Sequence, residues 1–210
     1  MPIDPIKEPI KDLLETITLR RATPADAPAL ALVGAATFLE AFTWMLPGPD
    51  IIAHAAKHHT IPAYQHYFDH PDTRITLAVT GPAVGFPHQP GAPVGYAMLC
   101  TPDLPTLHVL PTDIELKRIY LFSRFRNAPV MNSNDADGAP IPKLRSAQAL
   151  MDAAVADARD LHRTRLLLGT HAGNLRAIAF YRRNGFTQAG TRTFQVGTQI
   201  CSDLIFAKTL

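Results

Sequence analysis

The sequence predicts a mixed α/β fold, an α+β sheet flanked by helices. Three observations carry it. Residues 114–122 (IELKRIYLF) form the strongest strand-like run in the chain. Leu144, Ala147, Met151, Ala154, Ala158 and Leu161 then recur at helical spacing, which predicts an amphipathic helix. Residues 165–169 (RLLLG) follow as adjacent apolar residues, as in a strand buried on both faces. That order places helices against a sheet.

The remaining elements follow in order. Residues 1–16 read as an extension with a short helix over 6–14, and residues 17–20 (ITLR) as a strand. Thr23-Pro24-Ala25-Asp26 is a helix start. Thr23 can cap, Pro24 suits the first helical position, and Asp26 puts an acid in the first turn. That helix runs to about Phe42, where Pro47-Gly48-Pro49 stops the chain. Two further helical stretches cover 50–59 and 62–68. Strands at 74–79 and 94–100 pair across a Gly- and Pro-rich loop at 80–93. Residues 126–143 carry no period and read as irregular. A second amphipathic helix covers 174–184 and ends at Gly185. Residues 186–196 and 202–208 close the sheet. Residues 17–210 then make one domain.

Composition narrows the function. Twenty basic against 18 acidic residues leave +2 in 210 residues, with the basic ones scattered. That pattern argues against a nucleic-acid partner. The longest uncharged apolar stretch lies between Asp26 and Glu40, carries Pro28, and falls short of a membrane span. The N-terminus alternates acids and bases without an apolar region, so no signal peptide is expected. Cys100 and Cys201 sit in strand-like runs; one disulfide is open to them, and the plainer reading is two buried thiols in a reducing cytoplasm. Proline, 19 in 210, concentrates between elements as stiff connections.

Asn174-Leu175-Arg176-Ala177-Ile178-Ala179-Phe180-Tyr181-Arg182-Arg183-Asn184-Gly185-Phe186 forms the pattern N-x-x-A-x-x-F-Y-x-x-x-G-F. It resembles the second half of the GNAT superfamily of N-acetyltransferases. The strand ELKRIYLF and the helix QALMDAAVADAR precede it in the right order. The Thr37–Phe42 run TFLEAF and ELKRIYL are similar to the bacterial branch that holds spermidine and polyamine acetyltransferases.

The resemblance implies a GNAT-like acyl-CoA N-acyltransferase fold, its mostly antiparallel sheet splayed between the fourth and fifth strands. It implies acetyl-CoA as co-substrate and a primary amine, on a small molecule or peptide, as acceptor. Ile119, Tyr120 and Leu121 would offer the splayed strand to the pantetheine arm. Arg124, Arg126, Arg145, Ser146 and Ala147 fall at the pyrophosphate end, where a helix N-terminus suits anions. Asn174 and Ala177 match positions along the cofactor arm, and Tyr181 matches the general acid toward the thiolate. Taken on their own residues, Tyr181 is equally a core aromatic, and Asn174 a helix cap. Glu115 is a candidate base or a solvated strand end.

One departure stands out. The family's pyrophosphate loop reads Q/R-x-x-G-x-G/A, and here those positions hold Pro142, Arg145 and Ala147. Residues of about 127–143 read as an insertion in that loop. It could fold outward and leave the amides free, lie across the groove, or order only with ligand. Its Asp135-Ala136-Asp137-Gly138 run lacks the Glu a calcium loop needs and reads as a polar turn. The pairs His54/His58 and His66/His70 read as solvated helix faces, so no metal is expected.

In such a fold the first helices cover the acceptor end, which nominates Phe38, Glu40, Phe42 and Trp44 as its lining. Two functions stay open at this point. One is an N-acetyltransferase, with a homodimer compatible with it. The other is a catalytically impaired binding or regulatory protein on the same scaffold.

Overall fold

The computed structural model describes residues 16–81, 89–131 and 140–210. The helix expected at 6–14 and the turn at 135–138 lie outside them.

Nine strands form one mixed sheet in the order β6-β5-β1-β2-β3-β4-β7-β9-β8. They are β1 (Ile17–Arg21), β2 (Arg74–Thr80), β3 (Pro93–Cys100), β4 (Asp113–Leu121), β5 (Pro129–Met131), β6 (Pro140–Arg145), β7 (Arg165–His171), β8 (Thr187–Val196) and β9 (Gln199–Thr209). The helices are α1 (Ala27–Phe42), α2 (Gly48–His58), α3 (Ile61–Phe68), α4 (Ser146–Asp160) and α5 (Leu175–Arg183). Five of the predicted strands, from 17–20 through 165–169, fall within a residue or two of these bounds.

The two faces of the sheet bury different sets. α4 and α5 cover one face, with Leu150, Met151, Ala154 and Ile178 against Ile114, Leu166, Leu168 and Phe206. α1 and α3 cover the other, with Leu30, Val33 and Tyr64 against Ile75, Leu77, Tyr96 and Met98. β3 serves both, since alternate side chains point to opposite sides. Each large aliphatic side chain buried this way contributes roughly 1.5–3 kcal/mol.

Thr23 and Asp26 start the first helix as expected, with the Asp26 carboxylate accepting the Thr23 N–H at 2.8 Å. Arg20 grips the same carboxylate and holds it down to about 2. One reading needs correction. The segment Pro24–Phe42 is 19 residues long and, by length and composition, apolar enough to cross a membrane. Its turn of 3-10 helix before α1 supplies the extra length. Here Leu30, Val33 and Phe38 lie buried against the protein, while Leu32 and Leu39 are exposed.

A second correction concerns the stretch read as irregular. β5 and β6 pair antiparallel, and β5 lies parallel to β1 through Ile17 and Val130. Prolines at both strand starts hide the pattern, and a sheet edge is where a strand tolerates proline.

The feature that positions the site is a fork. β4 and β7 run parallel but pair only over Asp113, Ile114 and Glu115 against Arg165, Leu166 and Leu167. Beyond that point β4 stays with β3 as far as Leu121, and β7 stays with β9 as far as His171. The register of β4 on β3 shifts between Met98 and Leu99, so Lys117 is an extra residue opposite them. A bulge of this kind bends a strand. At the fork Gly95 lies against Tyr120, where a Cβ would come 2.5 Å from the Tyr120 carbonyl oxygen.

Candidate active site

The fork opens into a groove of about 1190 Å³. Ile119, Tyr120 and Leu121 of β4 line one side, and Asn174, Ala177 and Tyr181 line the other. Phe38, Phe42 and Trp44 of the first helical region also line the groove. Arg126, Arg145 and Ala147 line it at the start of α4.

α5 is built to present Tyr181. Asn174 caps it, its Oδ1 accepting the Ala177 N–H at 3.2 Å. Gly185 follows the last turn at φ +81°, a conformation that costs a side-chain-bearing residue energy. The Phe186 N–H then closes back on the Tyr181 carbonyl at 3.1 Å. Arg176, Arg182 and Arg183 face outward while Ile178 and Tyr181 face in. The Tyr181 ring sits beside Phe180, Phe186 and Phe206. Burial, and secondarily Tyr120, raise its phenol above the ordinary value, so it stays protonated at neutral pH.

The N-terminus of α4 is partly spoken for. The Ser146 N–H donates to the Ala128 carbonyl at 3.1 Å and the Ala147 N–H to the Arg126 carbonyl at 3.3 Å. The Ser146 hydroxyl donates to the Phe125 carbonyl. Ser146 is therefore fully buried and outside the groove lining. β5 pairs with β1, and the chain leading to it lays the Arg126 and Ala128 carbonyls on the helix amides. Positive charge remains available: Arg126, Arg145, Arg176 and Arg183 all line the groove. Arg145 also donates to the Asn127 carbonyl at 3.3 Å.

Three other nominated residues stand apart from the lining. Arg124 lays its guanidinium over the Phe125 ring, 4.5 Å from the centroid. Glu40 accepts from the Ser123 N–H at 3.0 Å and its hydroxyl at 2.8 Å, and faces Arg126 at 3.8 Å. It ties α1 to the turn after β4. Glu115 is buried below the fork, where β4 is still paired with β7. It accepts the Asp103 N–H at 2.8 Å and lies 3.4 Å from Lys117. Burial raises its carboxyl despite the lysine.

The groove also holds residues that sequence reading did not nominate. Arg118 follows the bulge, and His54 and His58 of α2 stand opposite. His54 stacks on Phe38 at 4.1 Å between centroids, so it is half-buried rather than solvated. Arg192 pairs with Asp203 at 3.1 Å. The Trp44 indole donates to the Ala41 carbonyl at 2.7 Å and stands edge-on to His171 at 6.0 Å. Residue type alone does not single out Arg118, because the same strand carries Asp113, Glu115 and Lys117. Among the described residues there is no group of three or more His, Cys, Asp or Glu that could share a metal ion. Cys100 and Cys201 are both free and buried.

Comparison with known proteins bears on this geometry. Residues 145–186, which hold α4, β7 and α5, match the model of the Acetyltransferase (GNAT) family. An uncharacterized N-acetyltransferase of Mycobacterium tuberculosis is 29% identical over 185 residues, covering 88% of this chain and 98% of its own. The PaiA N-acetyltransferase of Thermoplasma acidophilum, solved with coenzyme A, superposes with a TM-score of 0.64 at 15% identity, over 92% of this chain and 99% of that one. A ribosomal-protein-alanine N-acetyltransferase from Brucella melitensis gives 0.56 at 22% identity, over 91% and 99%. The fold is the mixed α/β architecture of GNAT acetyltransferases, and the family match and relatives support that superfamily.

Proposed function

We propose that this protein is an N-acetyltransferase that moves the acetyl group of acetyl-CoA to a primary amine by direct attack. The carrying observation is the fork: β4 and β7 part after Glu115 and Leu167, and the Tyr181 side chain lines the opening. A parallel pair that separates leaves backbone N–H and C=O groups facing a groove, able to bond an extended amide-bearing chain. Ile119, Tyr120 and Leu121 supply them here.

The residues present fit the co-substrate unequally. The fork suits the pantetheine arm. At the phosphate end two amides of α4 already hold Arg126 and Ala128, so the anion falls to Arg126, Arg145, Arg176 and Arg183. Acetyl-CoA supplies the activated acyl group. Tyr181 then donates a hydrogen bond, and its proton, to the charge that grows on the departing sulfur. Asn174 holds the helix that carries Tyr181. The acceptor enters from the end lined by Phe38, Phe42 and Trp44.

Titration calorimetry with acetyl-CoA tests the reading. Saturable binding in the micromolar range is expected, weakening with added salt because arginine side chains carry the phosphates. Absence of binding overturns it. The capped amides favour a second reading, a binding or regulatory protein on the same scaffold. That reading gains if the protein binds neither acetyl-CoA nor CoA.

A further inference from the structure

The acceptor end of the groove holds a buried cation with no acid beside it. Arg118 lies on β4, is 8% exposed and lines the groove. Its guanidinium stands over the rings of Tyr64 and Tyr67, at 5.3 and 5.5 Å from their centroids. One nitrogen, Nη2, donates to the His58 carbonyl at 3.3 Å. The other, Nη1, is buried and has no hydrogen-bond partner. None of the ion pairs among the described residues includes it.

Its surroundings are neutral. Tyr64, Tyr67, Tyr96 and Tyr120 surround the guanidinium, and burial raises the phenols of Tyr64, Tyr96 and Tyr120. Burial and the nearby arginine keep His54, His58 and His59 uncharged, and His59 is held down to about 2. Lys117, the neighbouring cation, is turned toward Glu115 and Asp103. Tyrosine faces offset part of the desolvation of a guanidinium. They leave Nη1 without a partner, and an unpaired buried donor is costly.

We propose that Arg118 seats an anionic group, a carboxylate, of the molecule that enters this end of the groove. The acceptor is therefore an amine that also carries a carboxylate, an amino acid or a peptide-like acid. Polycationic amines are disfavoured, because the fixed charge here repels them. Phe38, Phe42 and the stacked His54 line the space beside it, which suits an apolar or aromatic body between amine and acid. Naming the acceptor rests on the acetyl-transfer reading; the anion seat does not.

The experiment uses the full chain and two matched probes, phenylacetate and phenylacetamide, titrated by calorimetry. They have nearly the same shape and differ in charge. Phenylacetate is expected to bind at least about tenfold tighter, the worth of a charged hydrogen bond. Arg118→Met is expected to erase the difference, and Arg118→Lys, which keeps the charge but not the planar fork, to keep only part of it. Equal binding of acid and amide by the unaltered protein overturns the proposal without reference to any variant. So does a preference that survives Arg118→Met, or spermidine binding as tightly as phenylacetate. Where acetyl-CoA binds, turnover of phenylalanine should exceed that of its amide by a similar factor. An acid preference without acetyl-CoA binding would leave the seat standing and remove the acetyl-transfer reading; acetyl-CoA binding without an acid preference would do the reverse.

Discussion

The two ends of the groove handle positive charge in opposite ways. Along α4 and α5, Arg145, Arg176 and Arg183 are exposed, and Arg126 is half-buried. At the α1–α3 end a single arginine, Arg118, is buried between tyrosine rings. Solvated guanidiniums swing, are screened by salt, and hold many phosphates with little discrimination. A buried one is fixed in place before anything binds, and it discriminates by charge. The first arrangement suits a ligand common to many enzymes, and the second suits a ligand peculiar to this one.

The sharpest way to break this division is at Tyr181, between the two ends. Tyr181→Phe should lower kcat by roughly 10²–10⁴. Acetyl-CoA affinity measured by calorimetry should stay within a few-fold. A large loss of affinity instead would place Tyr181 in binding rather than in proton delivery.

Next comes Gly34 on α1, which touches only the buried end. A Cβ there would meet the Tyr64 hydroxyl at 2.3 Å and His59 Nδ1 at 2.4 Å. Those two groups bond each other at 2.9 Å, and the Tyr64 hydroxyl bonds that of Tyr96 at 2.6 Å. Gly34→Ala should cost about 1–3 kcal/mol in urea unfolding, since rigid neighbours must shift. Acetyl-CoA binding should change little, because the exposed arginines lie elsewhere.

The third test uses pH. His59 is buried and neutral, with a folded value of about 2 against 6.5 when unfolded. Below pH 6.5 the unfolded chain takes up a proton that the folded chain refuses. Stability should therefore fall as pH drops, by up to about 1.4 kcal/mol per pH unit from this group. His59→Gln should flatten the slope between pH 6.5 and 4.5, measured by thermal unfolding. Arg118, His54 and His58 face the ring and contribute to its refusal. The smallest effect belongs to the motif end: Gly185→Ala should cost about 1 kcal/mol through its φ of +81°.

These ends also differed in how far the sequence disclosed them. α4, β7 and α5 were legible because their chemistry is local. A helix period, an apolar run, an Asn cap and a Gly stop all lie within 144–186, and Tyr181 came with them. β4 was legible as a strand, but its divergence from β7 was implied only by the resemblance. Strand pairing is set by the whole sheet rather than by the strand. Arg118 stayed hidden because Lys117 and Arg118 look alike in sequence; only the fold sets Lys117 against Glu115 and Asp103 and Arg118 over Tyr64 and Tyr67. Glu115 and Glu40 were nominated by charge alone. Their real partners, the Asp103 and Ser123 amides, are 12 and 83 residues away in the chain. The β5–β6 pairing was missed because prolines at an edge leave no period to read.

The one tryptophan of the chain stands at the groove mouth, 60% exposed and edge-on to His171. The molecule therefore has a single indole emitter, excitable apart from its five tyrosines and placed where ligands pass. Its emission wavelength should shift to the blue when an acceptor shields it from water and stay put when only the far end of the groove fills. Occupancy of the two ends could then be followed separately, in real time, in the unlabelled protein.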